Sequence, residues 1–255
     1  VNGNQLASLL VYYILSARTD MNALDKQRHY MVKTIVTTEL IDTMCAAYGI
    51  DCFNTLTGFK YIATVIRELE GQREFIGGGE ESYGFMTSEV VRDKDAVATC
   101  ALIAEMTAFA KSQGKGVIDL LEEMYLKYGL WYESMTSITK QGKAGAEEIA
   151  EMMQKFRANP PAELGGIEVT SIMDYQSGIK KDLRTGENSR LDFPKSNVLQ
   201  FITADGSKIS ARPSGTEPKI KFYFSVHEPI NSLDEIENSR AALADKVANI
   251  LSDLN

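Results

Sequence analysis

Apolar residues recur at helical spacing near the start of the chain. Leu6, Leu9 and Tyr13 lie on one helical stripe. This spacing predicts an amphipathic helix over residues 5–18. Comparable stripes predict further helices at about 41–48, 62–69, 95–112, 117–128, 144–157 and 233–251.

Short β-rich runs alternate with these helices in the first half of the chain. They cover residues 32–37, 50–56 and 74–76. A strand that alternates with a helix is typical of a layered α/β domain. We therefore predict an α/β domain with a largely parallel or mixed sheet.

The pattern changes after Gly129, where strands become grouped together between helices. Grouped strands with flanking helices predict a smaller α+β domain. We therefore expect an α/β domain over 1–130 and an α+β domain over 131–255. Residues 177–196 are rich in Ser, Gly, Lys, Asp and Arg, and we expect them to form a mobile surface loop.

Composition narrows the class of protein. The net charge of −8 over 255 residues argues against broad nucleic-acid binding, so an anion site would have to be a local positive pocket. No apolar run approaches the length of a membrane span. Three cysteines without a CxxC pair fit a reducing, cytoplasmic setting better than a disulfide framework. The chain begins with Val1 and leads directly into a helix, as expected for a fragment of a longer protein.

Two loops are expected at the carboxyl ends of predicted strands, where ligands bind in layered α/β domains. One contains Thr57 and Gly58, and the other is a glycine-rich run that contains Glu80 and Ser82. Glycine allows a close approach of backbone to ligand, and carboxylates accept hydrogen bonds from sugar hydroxyls. The alternative is a turn whose acidic side chains face water. The residues alone leave both interpretations open, although the spacing is not that of a dinucleotide-binding fingerprint.

A second candidate site lies between two predicted strands near the end of the chain. Arg212 offers a planar fork of donors that matches phosphate oxygens. Ser214 and Thr216 add hydroxyls, Gly215 lets the backbone turn toward an anion, and Lys221 adds charge. The alternative is an ordinary hairpin turn with exposed charges. We favour the phosphate site because turn chemistry does not require these basic and hydroxyl residues to be grouped.

Two lysines have less distinctive surroundings. Lys33 lies in an apolar strand run, and such a lysine more often extends to the surface than contacts a ligand. Lys94 precedes the helix predicted to begin at Asp95, and a solvated helix start explains the neighbouring acids.

Taken together, four motifs resemble the α-D-phosphohexomutase superfamily, and most closely its bacterial phosphoglucomutase/phosphomannomutase enzymes. They match the family in order and in spacing, and the resemblance covers essentially the whole chain. In this sequence they read Thr57-Gly58-Phe59-Lys60, Gly79-Glu80-Glu81-Ser82-Tyr83-Gly84, Arg92-Asp93-Lys94-Asp95 and Arg212-Pro213-Ser214-Gly215-Thr216-Glu217-Pro218.

The resemblance implies the third and fourth domains of a four-domain enzyme. Such enzymes move a phosphoryl group between O1 and O6 of a hexose, through a phosphoserine and a bisphosphorylated sugar. The expected ligands are thus hexose phosphates and hexose bisphosphate. The expected partner is the N-terminal part of the same protein, with neither nucleic acid nor membrane involved.

Individual roles follow from the same resemblance. Glu80 and Ser82 would hold sugar hydroxyls, and Thr57 and Gly58 would set the orientation of the substrate. Lys33 would line the cleft, and Lys94 is the one catalytic candidate, for proton transfer. The phosphate that is not transferred would be held by Arg212, Ser214, Gly215, Thr216 and Lys221.

Two motifs of the family are absent from this chain. One is the nucleophilic serine loop, and the other is the aspartate-rich loop that binds the Mg²⁺ ion. We therefore expect no bound metal and no turnover from this chain alone. The alternatives are a fragment of a phosphopentomutase- or phosphoglucosamine mutase-like enzyme and a non-catalytic sugar-phosphate binding module.

Overall fold

A computed structural model describes residues 1–254, and these form two compact units. Unit 1 comprises Val1–Gly129 together with Pro229–Leu233. Unit 2 comprises Leu130–Glu228 and the chain from Asp234 onward. Within residues 1–254, no helix is both long enough and apolar enough to cross a membrane.

Unit 1 alternates helices and strands around one mixed sheet, which confirms the predicted α/β class. The sheet has the order β2-β1-β3-β4, with β1 parallel to both β2 and β3, and with β4 antiparallel to β3. In chain order the elements are α1 (Gly3–Asp20), β1 (His29–Thr34), α2 (Leu40–Tyr48), β2 (Asp51–Thr55), α3 (Phe59–Leu69), β3 (Glu74–Gly79), β4 (Phe85–Met86), α4 (Ala96–Ser112) and α5 (Val117–Tyr128).

The two faces of the central strand β1 pack against different helices. Tyr30 and Val32 belong to a buried cluster with Phe59 and Ile62 of α3. Because successive side chains of a strand point to opposite faces, Lys33 points away from α3 and toward α2. The sheet is thus covered on both sides, which explains why all six residues of β1 are buried.

Full burial also explains why the position of β1 was predicted three residues too late. The predicted run was 32–37, whereas β1 spans His29–Thr34. A strand buried on both faces shows no alternation of apolar and polar residues, and this strand begins and ends with polar ones. Helix ends were easier to predict: the Asp95 side chain caps α4 by accepting the Ala98 N–H at 2.9 Å.

Unit 2 is built on an antiparallel sheet with three helical segments, in agreement with the predicted α+β class. Its strand order is β5-β12-β11-β10-β7-β8-β9, and β6 pairs with β7. In chain order the elements are β5 (Leu130–Thr139), α6 (Gly142–Ala158), β6 (Glu163–Leu164), β7 (Ile167–Asp174), β8 (Ile179–Asp182), β9 (Asn188–Arg190), β10 (Leu199–Thr203), β11 (Lys208–Pro213), β12 (Lys219–Glu228), a 3₁₀ turn (Leu233–Glu235) and α7 (Ile236–Asp253).

One face of this sheet carries the core of unit 2. The ring of Phe156 on α6 packs edge-on against Phe201 and Phe222, which lie on β10 and β12. Both strand residues are fully buried. By alternation, Lys221, next to Phe222, points to the opposite face of the sheet.

The prediction of a mobile loop over 177–196 is wrong, since β8 and β9 form a hairpin there. Every residue of β9 is exposed, as are three of the four in β8. A charged hairpin of this kind, at the edge of a sheet, lacks an apolar face. Its residue pattern is therefore the same as that of a loop. The Asp182 carboxylate accepts the N–H groups of Arg184 and Thr185 and so fixes the turn.

Candidate functional site

The two predicted loops of unit 1 lie at the same edge of its sheet. β2 and β3 both run parallel to β1, so their carboxyl ends meet there. Thr57 and Gly58 follow β2, and Glu80 follows β3 directly. The loops also touch, because the Gly58 N–H donates to Glu80 Oε1 at 2.6 Å. The predicted location of both loops is therefore confirmed.

Glu80 occupies the amino-terminal end of helix α3. Gly58 is the N-cap residue there and has no side chain with which to cap the helix, so the Glu80 carboxylate accepts its N–H instead. A negative charge is also favoured at this end of a helix dipole. The half-buried Glu80 has no other side-chain hydrogen bond in the part of the chain that the structure describes. Its second oxygen is thus free to accept a ligand hydroxyl.

We call residues 80–84, from Glu80 to Gly84, the sugar loop. Its ends are joined by a hydrogen bond from the Glu80 N–H to the Gly84 carbonyl at 2.8 Å. A Cβ atom on Gly84 would lie 2.7 Å from the ring of Phe59 and 3.1 Å from Cγ of Lys94. Glycine at position 84 therefore allows both side chains to pack against the loop.

Lys94 is brought next to the sugar loop by this packing. Its Nζ lies 4.6 Å from the centre of the Phe59 ring and 2.8 Å from Asp93 Oδ1. Its side chain is more than half exposed. The structure thus groups Gly58, Glu80 and Lys94 within one small region of unit 1.

The tip of the sugar loop is exposed. Ser82 faces solvent, and Tyr83 is 60% exposed with a left-handed backbone at φ 68°. An aromatic residue rarely adopts this conformation, and such strain is common at ligand sites. Nothing in the residue pattern along the chain indicates this backbone angle at Tyr83.

Lys33 has surroundings that the sequence analysis did not predict. The expectation that it extends to the surface is wrong, since its side chain is 0% exposed. Its Nζ lies 2.9 Å from Glu39 Oε1, 2.8 Å from Asp42 Oδ2 and 2.6 Å from Asn54 Oδ1. Burial alone would lower the pKa of Lys33, but the two carboxylates outweigh it and raise that pKa above its usual value. The ammonium group of Lys33 is therefore already paired within the fold, and its substrate role stays a prediction.

In unit 2, Arg212 and Lys221 are partners in register across β11 and β12. Residues directly opposite each other in an antiparallel pair point to the same face, so their side chains are neighbours. Both are half-buried. Neither forms an ion pair or a side-chain hydrogen bond within residues 1–254. Two adjacent cations without carboxylate partners are a suitable site for a phosphate.

The loop between these strands exposes its hydroxyl groups. The Ser214 N–H donates to the Lys219 carbonyl at 2.7 Å, which closes the loop. Ser214 Oγ lies 3.5 Å from Thr216 Oγ1. Gly215 is exposed, lies outside the left-handed region and has open space where a Cβ would be. The backbone conformation at position 215 is therefore one that other residues could adopt, and the role of Gly215 in phosphate binding stays a prediction.

A comparison with known protein families matches the part of the chain that forms most of unit 1. Residues 2–128 match a sequence profile described as phosphoglucomutase/phosphomannomutase, alpha/beta/alpha domain III. This chain belongs to the phosphoglucomutase/phosphomannomutase family. The predicted resemblance is confirmed by this match.

Named relatives of the family support this assignment. The chain is 38% identical over 228 residues to a phosphoglucomutase of Staphylococcus aureus, strain bovine RF122 / ET3-1, and 37% identical over 225 residues to one of Staphylococcus epidermidis. These alignments cover 89% and 88% of this chain and 40% of each relative. The chain thus spans about two fifths of the length of these relatives. Their names favour the phosphoglucomutase hypothesis over the alternatives.

Solved structures of family members share the fold. Parafusin, a phosphoglucomutase from Paramecium in its open form, gives a TM-score of 0.63 at 22% identity, over 100% of this chain and 42% of that one. A family protein from Burkholderia thailandensis gives 0.53 at 15% identity, over 98% of this chain and 43% of that one.

The metal ion of the family does not fit the residues described here. Within residues 1–254, no three His, Cys, Asp or Glu side chains come together as a group that could hold a metal ion. The carboxylates nearest the sugar loop already have partners: Glu80 receives the Gly58 N–H, and Asp93 contacts Lys94.

Proposed function

We propose that this chain is the C-terminal part of a phosphoglucomutase/phosphomannomutase and recognises hexose phosphates for the whole enzyme. Units 1 and 2 would be its third and fourth domains. The complete enzyme would interconvert hexose 1-phosphate and hexose 6-phosphate through a phosphoserine and a hexose bisphosphate. The observation that carries the proposal is the adjacent pair Arg212 and Lys221, whose cations have no partner among the described residues.

Each unit would supply a different kind of recognition. In unit 2, Arg212 and Lys221 would neutralise a phosphate, while Ser214, Gly215 and Thr216 donate hydrogen bonds. In unit 1, the free oxygen of Glu80 and the hydroxyl of Ser82 would bind sugar hydroxyls. Thr57 and Gly58 would orient the sugar, since the Gly58 N–H holds the Glu80 carboxylate.

Lys94 would be the residue of this chain that moves a proton. Its ammonium group is solvent-accessible and lies against the sugar loop, held between Asp93 and the Phe59 ring. Lys33 would stabilise the fold of unit 1 through its buried contacts with Glu39 and Asp42. A direct contact between Lys33 and the substrate has weaker geometric support than the role of Lys94.

Phosphoryl transfer depends mainly on positioning and on charge stabilisation. Binding the phosphate that does not react supplies orientation without contact to the bond being broken. The nucleophilic serine and Mg²⁺ would belong to the rest of the enzyme, so we expect no turnover from this chain by itself. Three free cysteines are in keeping with a cytoplasmic location.

The test is a calorimetric titration of the chain with glucose 1-phosphate. Arg212→Ala should weaken binding at least about tenfold, because it removes a charge-assisted hydrogen bond. Glu80→Gln should weaken glucose 1-phosphate binding but leave inorganic phosphate unaffected. Lys180→Ala, an exposed lysine on strand β8, is the matched control and should bind like the unaltered chain. Unchanged affinity in Arg212→Ala would contradict the proposal.

A further inference from the structure

A polar cavity lies in unit 1, at the edge of its sheet opposite the sugar loop. It forms where β1 and β3 begin, since His29 and Glu74 open these parallel strands and are partners in register. Its volume is about 430 Å³. We call it the arginine cavity, and the charged residues that line it are Arg18, Arg28, Arg73, Glu74 and Glu89.

Two of the arginines are only loosely paired. Arg18 lies 3.7 Å and Arg28 lies 3.5 Å from the Glu74 carboxylate, which both of them share. Charge-assisted hydrogen bonds are normally 2.7–2.9 Å long. By contrast, Arg73 contacts Asp51 at 2.6 Å. Arg18 and Arg28 therefore keep most of their donor capacity for another acceptor.

The neighbourhood of the cavity also holds buried polar atoms without partners. Within residues 1–254, neither Arg73 Nε nor Glu89 Oε2 has a hydrogen-bond partner, and neither does the hydroxyl of the fully buried Tyr30. Burial and then the nearby Glu89 carboxylate raise the pKa of Tyr30 to about 12. Buried polar groups are seldom left unpaired, because each one costs about 1–3 kcal/mol. A polar occupant would supply partners that the protein itself does not.

We propose that the arginine cavity binds a small phosphate ester that carries free hydroxyl groups. The loosely paired guanidinium groups of Arg18 and Arg28 match phosphate oxygens. The Glu89 carboxylate can accept only from a donor, and a hydroxyl of the ligand is one. This site does not depend on the pair of Arg212 and Lys221 in unit 2.

The residues that line the arginine cavity carry both signs of charge, and this favours one class of anionic ligand over the others. Two carboxylates, Glu74 and Glu89, stand among three arginines. A nucleic acid or an anionic membrane surface would meet both of them as repulsive charges. A small ester can place its phosphate on the arginines and its hydroxyls on the acids, so it satisfies both kinds of group.

His29 gives a direct readout of this cavity. It is 5% exposed, its Nδ1 accepts the Asp25 N–H at 3.1 Å, and its Nε2 lies 3.5 Å from Arg18 and 3.6 Å from Glu74. The chain has two histidines, and the other, His227, stacks on Trp131 in unit 2. Ring signals of the two histidines in an NMR spectrum therefore report on the two units separately.

The experiment is a titration of the chain with glycerol 3-phosphate, followed through the ring signals of His29. We expect a saturable shift, with at least about tenfold weaker binding in Arg28→Ala, which loses a charge-assisted contact. Arg28 is 65% exposed, so the variant should remain folded. Lys26→Ala, an exposed lysine two residues away, is the control and should bind normally. Arg212→Ala should leave the His29 shift unchanged.

Inorganic phosphate and Glu89→Gln separate an ester site from a plain anion site. Glu89→Gln should weaken binding of glycerol 3-phosphate and leave that of inorganic phosphate as it was. Equal affinity for both ligands would mean an adventitious ion only and would overturn the proposal. So would the absence of a His29 shift, or a shift that persists in Arg28→Ala.

Discussion

One lysine in unit 1 and a pair of basic residues in unit 2 were all predicted to contact the ligand. Their surroundings in the fold are opposite in kind. Lys33 in unit 1 is fully buried and surrounded by the oxygens of Glu39, Asp42 and Asn54. The neighbouring pair of Arg212 and Lys221 in unit 2 is half-buried and has no carboxylate partner among residues 1–254.

The difference separates a cation that is paired inside the fold from cations that remain available to a ligand. A buried ammonium is stable only if its charge is compensated, and the fold supplies that compensation for Lys33 from α2 and β2. Nothing within the described part of the chain compensates Arg212 and Lys221, so an anionic ligand has two free charges to meet. We therefore propose that the absence of an internal partner, rather than position on a strand, identifies the cations that are available to bind a ligand.

The largest expected effect is on stability, from Lys33→Met. It leaves Glu39 and Asp42 next to each other without their counter-ion, and breaking a buried pair typically costs 3–5 kcal/mol. Because both carboxylates are about a third exposed, we expect roughly 3 kcal/mol, at the lower end of that range. Denaturant unfolding measures this loss, and the exposed Lys26→Met is its control.

The pH dependence of stability tests the contact of Lys33 with its two carboxylates in a second way. The pKa of Lys33 is higher in the folded chain than its unfolded value of 10.5. Its contribution is therefore fully present below pH 10.5 and is lost as the pH rises through the folded pKa. Lys33→Met should remove this part of the alkaline decline. A loss below about 1 kcal/mol, the level of an exposed ion pair, would show that Lys33 is not a structural cation.

The next effect is on binding, from Lys221→Ala. If Lys221 and Arg212 hold one phosphate, each variant should lose about 10- to 100-fold in affinity for glucose 1-phosphate, which is the range of a hydrogen bond to a charged group. Their joint variant should lose less than the product of the two, since the cations share one ligand. Calorimetry gives the three affinities. Strict multiplication of the two losses would place the cations in separate sites.

Much of the fold follows from the sequence because its signals are local. Helix ends such as Asp95 and Gly49 are set by side-chain capping and by a left-handed C-cap at φ 75°. The common edge of Thr57 and Glu80 follows from alternating strands and helices, which imply parallel neighbours. The hairpin of β8 and β9 was missed because its exposed, charged strands have no apolar face to detect.

The candidate site was predicted less completely, because its details depend on long-range partners. The contact between Gly58 and Glu80 joins residues 22 positions apart. The oxygens around Lys33 all come from residues outside its own strand, so no pattern along β1 could have indicated them. The loose pairing of Arg18 and Arg28 with Glu74 likewise depends on how α1 and the start of β1 approach the start of β3.

A third, intermediate case sharpens the comparison. Lys246 of α7 forms an ion pair with Asp205, whose side chain is 36% exposed. Burial alone would raise the pKa of Asp205, but hydrogen bonds from Lys246 and Thr203 outweigh it and lower that pKa well below 3.8. Its contribution to stability is present above pH 3.8 and is lost as the pH falls through the folded pKa. Asp205→Asn should cost about 1 kcal/mol after allowance for solvent screening. Acid unfolding followed by circular dichroism should show a shallower decline below pH 3.8, and an unchanged profile would contradict this account.

The smallest effect should come from Arg212→Lys, and it tests what kind of cation the phosphate site needs. The substitution keeps the positive charge beside Lys221 but replaces a planar fork with a single ammonium group. If charge alone holds the phosphate, affinity for glucose 1-phosphate should stay unchanged. We expect a loss of about threefold to tenfold, because one of two parallel hydrogen bonds disappears while the charge stays. Stability should not change, since no carboxylate within residues 1–254 pairs with Arg212. A loss as large as that of Arg212→Ala would mean that the geometry of the fork, and not its charge, selects the ligand.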